Sequence, residues 1–189
     1  MSDWVKVGVG DIETTGISQE AGHRIIEVAL DFYGFNKVTG EIRSLGEPFI
    51  RRCNPERLID PGAEAVHHIS LAMLRGAPKW EVLGPTVGKL LGKIDLFVAH
   101  NAAFDAPFLA LELLRIGEPM PSFNVYCTME NGRKSTAMGK VPNLGELAYA
   151  MGVDYDSKKA HSALYDTQVL SKCYWKGVET GMYALPHEA

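Results

Sequence analysis

Residues 5–16 read V-K-V-G-V-G-D-I-E-T-T-G. The run is apolar and β-prone until it meets two acids, Asp11 and Glu13. A strand has a period of two, so both carboxylates point to one face of whatever sheet it joins. Charges on a buried strand are costly unless something neutralises them. Two carboxylates side by side also repel, which raises one pKa unless a cation lies between them. An oxygen-only pair suits Mg²⁺ or Mn²⁺ better than zinc. The alternative is a strand that ends at Val9, with both acids solvated in a loop. Gly8 and Gly10 lack the third glycine of a dinucleotide fingerprint at its spacing, and neither a phosphate-loop lysine motif nor a G-x-S-x-G elbow is present.

The totals narrow the classes. At 189 residues the chain is expected to form a single domain over 1–189, large enough to bury a core without staples. It is 46% hydrophobic and 22% charged, as soluble globular proteins are. A formal net charge of −4 gives no whole-protein attraction to nucleic acid or anionic lipid, so a polyanionic substrate requires bound cations or a local basic patch. Cys53, Cys127 and Cys173 are dispersed and odd in number, which supports neither a disulfide framework nor a zinc ribbon. The start M-S-D-W-V-K has no basic n-region or long apolar h-region, and no uncharged apolar stretch reaches membrane-spanning length. The expectation is a reduced, cytoplasmic protein.

Further strands are expected at I-I-E-V-A-L-D-F-Y-G-F (25–35), E-P-F-I-R-R (47–52), D-L-F-V-A (95–99) and N-V-Y-C (124–127). The turn-rich K-V-T-G-E (37–41) predicts an antiparallel pairing of the second and third strands. Short helices are predicted around 63–68 and 70–74, and a longer one over about 80–91. Asn101 reads as an N-cap, followed by Phe104, Phe108, Leu111 and Leu114 at helical spacing. Asn143 and Glu146 form a capping-box pattern for a helix through Met151, and a last helix spans about 162–179. Strands first, then alternating helix and strand, predict a mixed five-stranded α/β sheet flanked by helices.

Two more segments carry candidate chemistry. In F-V-A-H-N-A-A-F-D-A-P-F-L, Asp105 falls in the first turn of a helix just beyond a strand end. An acid there favours the helix dipole, and it also stands where open α/β sheets gather their sites. In K-K-A-H-S-A-L-Y-D-T-Q-V-L, a histidine in the loop before the helix and an acid in its first turns, His161 and Asp166, can aim at one centre. Histidine is the natural general base near neutral pH.

In conjunction, D-I-E-T-T-G, H-N-A-A-F-D and H-S-A-L-Y-D resemble the three motifs of the DEDDh (DnaQ-like) 3′→5′ exonuclease family, of RNase H-like fold. G-H-R-I-I-E-V-A, N-P-E-R-L-I-D-P and A-V-H-H-I extend the likeness between the motifs, toward the epsilon-type and exonuclease X-type members. The resemblance implies phosphodiester hydrolysis with two divalent cations, Mg²⁺ or Mn²⁺. Asp11 would bridge them, Glu13 and Asp166 would complete the site holding the nucleophilic water, Asp105 would support the second ion, and His161 would take the proton. It further implies that backbone and side chain around Thr14 and Thr15 meet the terminal nucleotide, with Asn101, with His67 for phosphate or sugar, and with Phe104 packing beside a base or else in the core. Arg133, Lys134, Lys140, Lys158 and Lys159 are candidates for holding the backbone. The expected partners are DNA 3′ ends, preferably single-stranded, with RNA as an alternative. RNA trimming of the RNase T or oligoribonuclease type and non-catalytic nucleic-acid binding are the competing readings. A DNA polymerase partner fits the likeness, but M-Y-A-L-P-H-E-A (182–189) carries no legible attachment segment.

Overall fold

The opening run forms β1 (Trp4–Thr14), the middle of a mixed sheet in the computed structural model, which describes residues 2–189. β2 (Ile25–Asn36) pairs with it antiparallel, from Trp4 opposite Asn36 to Thr14 opposite Ile25, with a register shift between Glu13 and Thr14. β3 (Ile42–Ser44) and β4 (Phe49–Arg52) both pair antiparallel with β2. Three helices follow: α1 (Pro61–His67), α2 (Leu71–Leu74) and α3 (Trp80–Leu91). β5 (Leu96–Ala99) then runs parallel to β1 at Val7–Val9, α4 (Ala102–Arg115) leaves its end, and β6 (Asn124–Cys127) runs parallel to β5. α5 (Thr128–Asn131), α6 (Leu144–Met151) and α7 (Ala163–Glu179) complete the α-helices among the described residues, with two 3₁₀ turns at Gly132–Ser135 and Ala137–Gly139.

The sheet therefore has six strands, ordered β3-β2-β1-β5-β6 with β4 also on β2, not the five expected. The extra strand is β3. Asn36 Oδ1 accepts the Val38 and Thr39 amides and so closes the 37–41 turn. Three residues with one half-buried isoleucine are too few to display a period.

The period of two in β1 separates the two faces. Val5, Val7 and Val9 pack with Leu147, Val169, Leu170 and Tyr174 of α6 and α7. Ile12 packs on the other face with Phe97, Phe108, Leu109 and Leu113 beneath α3 and α4. Burying each such side chain contributes about 1.5–3 kcal/mol. Gly10 lies on that second face for a steric reason: a Cβ there would stand 2.7 Å from the Phe97 ring and 2.8 Å from Leu30. The glycines flanking the acids serve close packing.

Asp11 and Glu13 share the parity of Val7 and Val9, so they emerge on the α7 face. The capping box at Asn143 forms, with Asn143 accepting the Glu146 amide at 2.8 Å and Glu146 accepting the Asn143 amide at 2.9 Å. α4 is rotated from the expected stripe. Phe108, Leu109, Glu112 and Leu113 face inward, and Leu114 is 68% exposed. The buried Glu112 holds Arg24 through two bonds of 2.7 and 3.0 Å and accepts the Ile25 amide at 3.2 Å, which fixes the helix's rotation against β2. Among the described residues no helix is long and apolar enough to cross a membrane.

Candidate active site

The carboxylates of Asp11, Glu13 and Asp166 converge at the end of β1, with one oxygen from each lying within 4.8 Å of the others. β1 supplies the first two and the first turn of α7 supplies the third, across the face where valines and α7 pack. Asp105 joins from the opposite face. β1 pairs with β5 only through Val9, which leaves the next amides on that side of β1 without a strand partner. The Ile12 backbone lies close enough to the Asp105 carboxylate to draw its pKa down against burial. Asp105 is buried at the start of α4, where the helix dipole favours an acid.

A cleft of about 550 Å³ collects these groups. Asp11, Glu13, Asp105 and Asp166 line it together with His161, Asn101 and Phe104. His161 is exposed at its rim with φ +62°, and its backbone amide donates to Asp166 Oδ2 at 2.7 Å. Asn101 occupies the N-cap position of α4 without a side-chain capping bond, so its amide group is free for the cleft. Phe104 lines the cleft and leans on Phe108 at 4.8 Å between ring centroids.

The side chains of three expected contacts turn inward. Thr14 Oγ1 donates to the Gly16 carbonyl at 2.7 Å. Thr15 Oγ1 is fully enclosed, bonded to His23 Nδ1 at 3.0 Å and to the Arg24 amide at 3.0 Å. His67 is buried, its Nδ1 accepts the Ile69 amide at 3.0 Å, and its Nε2 is buried without a hydrogen-bond partner among the described residues. Burial holds the His67 pKa below its ordinary value. None of the three lines the cleft. Of the basic candidates, Arg133, Lys140 and Lys159 pair with Glu130, Glu146 and Asp156 at exposed positions.

Two residues enter that spacing alone did not single out. His100 stands in the cleft wall between Thr128 Oγ1 and the Pro142 carbonyl, each at 3.1 Å, and burial pulls its pKa down to about 4. Glu27 is buried on β2 opposite Glu13. The signal for both was present: His100 inside H-N-A-A-F-D, and an acid in the otherwise apolar I-I-E-V-A-L.

The acids are electrostatically frustrated. Burial, then Asp105, Glu13, Asp166 and Glu27, hold the Asp11 pKa well above its ordinary value. Burial and the neighbouring acids raise Glu13 to about 8, and burial raises Asp105 to about 7. Burial also raises Asp166, against the pull of the His161 amide. The fit to a cation is direct. Asp166 Oδ1 is buried without a hydrogen-bond partner among the described residues, beside two further acids. An orphaned carboxylate oxygen in an oxygen-only cluster is what a hard divalent ion satisfies.

A pH dependence follows. Near pH 7 the folded chain holds protons on these acids that the unfolded chain, with carboxyl pKa values of about 4, has released. The more protonated state is the folded one, so its stability falls as pH rises. In chelator the melting temperature is expected to drop between about pH 5 and about 8.5, and Mn²⁺ is expected to restore it most at the alkaline end. Thermal melts across that range check this; a flat or rising profile in chelator would contradict the site's electrostatics.

The fold has solved counterparts. Exonuclease X in complex with 5′ overhanging duplex DNA superimposes with a TM-score of 0.66, at 24% identity and 94% coverage of each chain. The nuclease domain of 3′hExo, a DEDDh family member bound to rAMP, gives 0.69 at 20% identity, covering 96% of this chain and 95% of that one. The mixed six-stranded sheet flanked by helices is the RNase H-like fold of these neighbours. Residues 9–174 match the profile of the family described as Exonuclease. DNA polymerase III subunit epsilon of Escherichia coli (strain K12) is 30% identical over 171 residues, spanning 87% of this chain and 68% of that protein. The chain belongs to the Exonuclease family and is a 3′→5′ exonuclease of DnaQ-like type.

Proposed function

We propose that the chain works as one domain in the cytoplasm, removing nucleotides from single-stranded DNA 3′ ends and releasing nucleoside monophosphates in a proofreading or repair role. The observation that carries this reading is the meeting of Asp11, Glu13 and Asp166 around an orphaned carboxylate oxygen, in a cleft rimmed by His161. Asp11, Glu13 and Asp166 would hold divalent cations, Mg²⁺ or Mn²⁺, with Asp105 supporting from α4. When bound, such ions activate water and offset the charge on the reacting phosphate.

The chain's own groups do the rest. His161, exposed at the rim, takes the proton from the attacking water as a general base. Its backbone is tied to Asp166 Oδ2, so base and carboxylate keep a fixed separation. Phe104 gives a terminal base an aromatic face, and stacking of this kind tolerates any sequence. Asn101 offers an amide to sugar or phosphate beside it. The epsilon relatives support a DNA substrate and a polymerase partner.

Digestion of single- and double-stranded DNA and RNA, each labelled at the 3′ or the 5′ end, with and without Mn²⁺, tests the proposal. Stepwise shortening of single-stranded DNA, with immediate loss of the 3′ label only when Mn²⁺ is present, is expected. Faster trimming of RNA of the same sequence would reassign the substrate. Binding without shortening would reduce the chain to a nucleic-acid-binding protein.

A further inference from the structure

We propose that Glu27 is a positioning residue: from β2 it caps the helix that carries Asp166, and thereby sets where Asp166 and His161 stand. This rests on the roles assigned to those two residues above. Glu27 is 4% exposed and lies directly opposite Glu13 in the β1–β2 ladder. Its Oε1 accepts from Arg52 Nε at 2.9 Å. Its Oε2 accepts the Ala163 amide at 3.1 Å, across 136 residues of chain.

Ala163 is the first residue of α7, and it is fully buried. A helix begins with amides that have no partner inside it, and a buried start must find them acceptors elsewhere. The local N-cap, Ser162, makes no side-chain capping bond. The acceptor comes instead from the sheet, as a carboxylate, which the positive end of the helix favours. The same turn is closed on its other side by the His161 amide on Asp166 Oδ2 at 2.7 Å. The segment from His161 to Asp166 is thus a closed unit hung from Glu27. Both Glu27 oxygens are engaged by these donors, and Glu27 stands outside the trio whose oxygens converge. Its hydrogen bonds act on the reaction through α7, while its charge bears on Asp11 and Glu13 across the sheet.

The full chain with Glu27→Ala and with Glu27→Gln tests this. Three readouts are compared with the unsubstituted enzyme: steady-state hydrolysis of a single-stranded DNA oligomer in Mn²⁺, Mn²⁺ binding by calorimetry, and amide hydrogen exchange along α7. E27A is expected to lower kcat about 10–100-fold and to weaken Mn²⁺ binding about tenfold, the range typical of residues that orient ligands. KM is expected to stay within about threefold, since substrate contacts remain. Amides of 163–166 are expected to exchange faster while those of 170–179 stay protected. E27Q keeps an oxygen for Ala163 and is expected to hold kcat within about fivefold of the unsubstituted enzyme, with slow exchange at 163–166. An E27A enzyme with unchanged kcat overturns the proposal. So does an E27Q enzyme that loses kcat while 163–166 stay protected, a comparison that decides the matter even if E27A does not fold. Absence of Mn²⁺-dependent cleavage by the unsubstituted chain would instead defeat the proposed function.

Discussion

Asp11→Ala is expected to reduce hydrolysis at least about a thousandfold, roughly 4 kcal/mol of barrier at 1.36 kcal/mol per decade, while making the metal-free protein harder to melt. The two effects have one cause. Asp11 has Asp105, Glu13, Asp166 and Glu27 as neighbours, and burial is the largest single cause of its raised pKa. A carboxylate so placed is unfavourable in the empty site and becomes useful only when a cation faces it. Removing it takes away a buried carboxyl that must ionise among other acids as pH rises, so the chelated variant should melt above the unsubstituted protein at alkaline pH. It should also lose the stabilisation that Mn²⁺ confers, because a ligand stabilises only in proportion to its binding. Melting curves with and without Mn²⁺, run beside a nuclease assay, read both effects. A variant that is inactive but less stable in chelator would mean Asp11 is a structural residue. Undiminished activity in excess chelator would remove the metal from the account.

The second large effect is expected at His161. His161→Ala should lower kcat by about 10²–10⁴, the span typical of a lost general base, with DNA affinity nearly unchanged. The position has a complication that the backbone exposes. With φ +62°, His161 sits in the left-handed region, where alanine is strained and glycine is not. Part of any loss in the alanine variant could therefore come from a displaced loop. His161→Gly separates the contributions, since it removes the ring and relaxes the backbone. Both variants should lose kcat alike, and the glycine variant should keep the His161-to-Asp166 amide contact. Equal losses in kcat and in DNA binding would assign the ring to substrate contact instead.

The sequence made the chemistry legible where residue type and local period suffice. Asp11 and Glu13 share a face because a strand repeats every two residues, and the pattern carried through to the α7 face of β1. Asp105 after a strand end, and His161 just ahead of a helix bearing Asp166, were readable from strand and cap signals, and all five line one cleft. Two helices began where their cap signals predicted, after Asn101 and after Asn143.

What the sequence left open depended on side-chain partners far along the chain. Thr14, Thr15 and His67 have the right types and motif positions for substrate contact, yet the threonine hydroxyls meet Gly16, His23 and Arg24, and His67 Nδ1 meets Ile69. α4 turned about its axis because Glu112 found Arg24, and a hydrophobic stripe cannot register an ion pair 88 residues away. β3 escaped notice because three residues form a strand only when β2 stands beside them. By itself the sequence determined which groups could do the chemistry, since that is a property of each residue and its near neighbours. The tertiary structure alone decided which amides, carboxylates and rings meet, since a hydrogen bond or a shared cation is a matter of a few ångströms between segments that no local pattern connects.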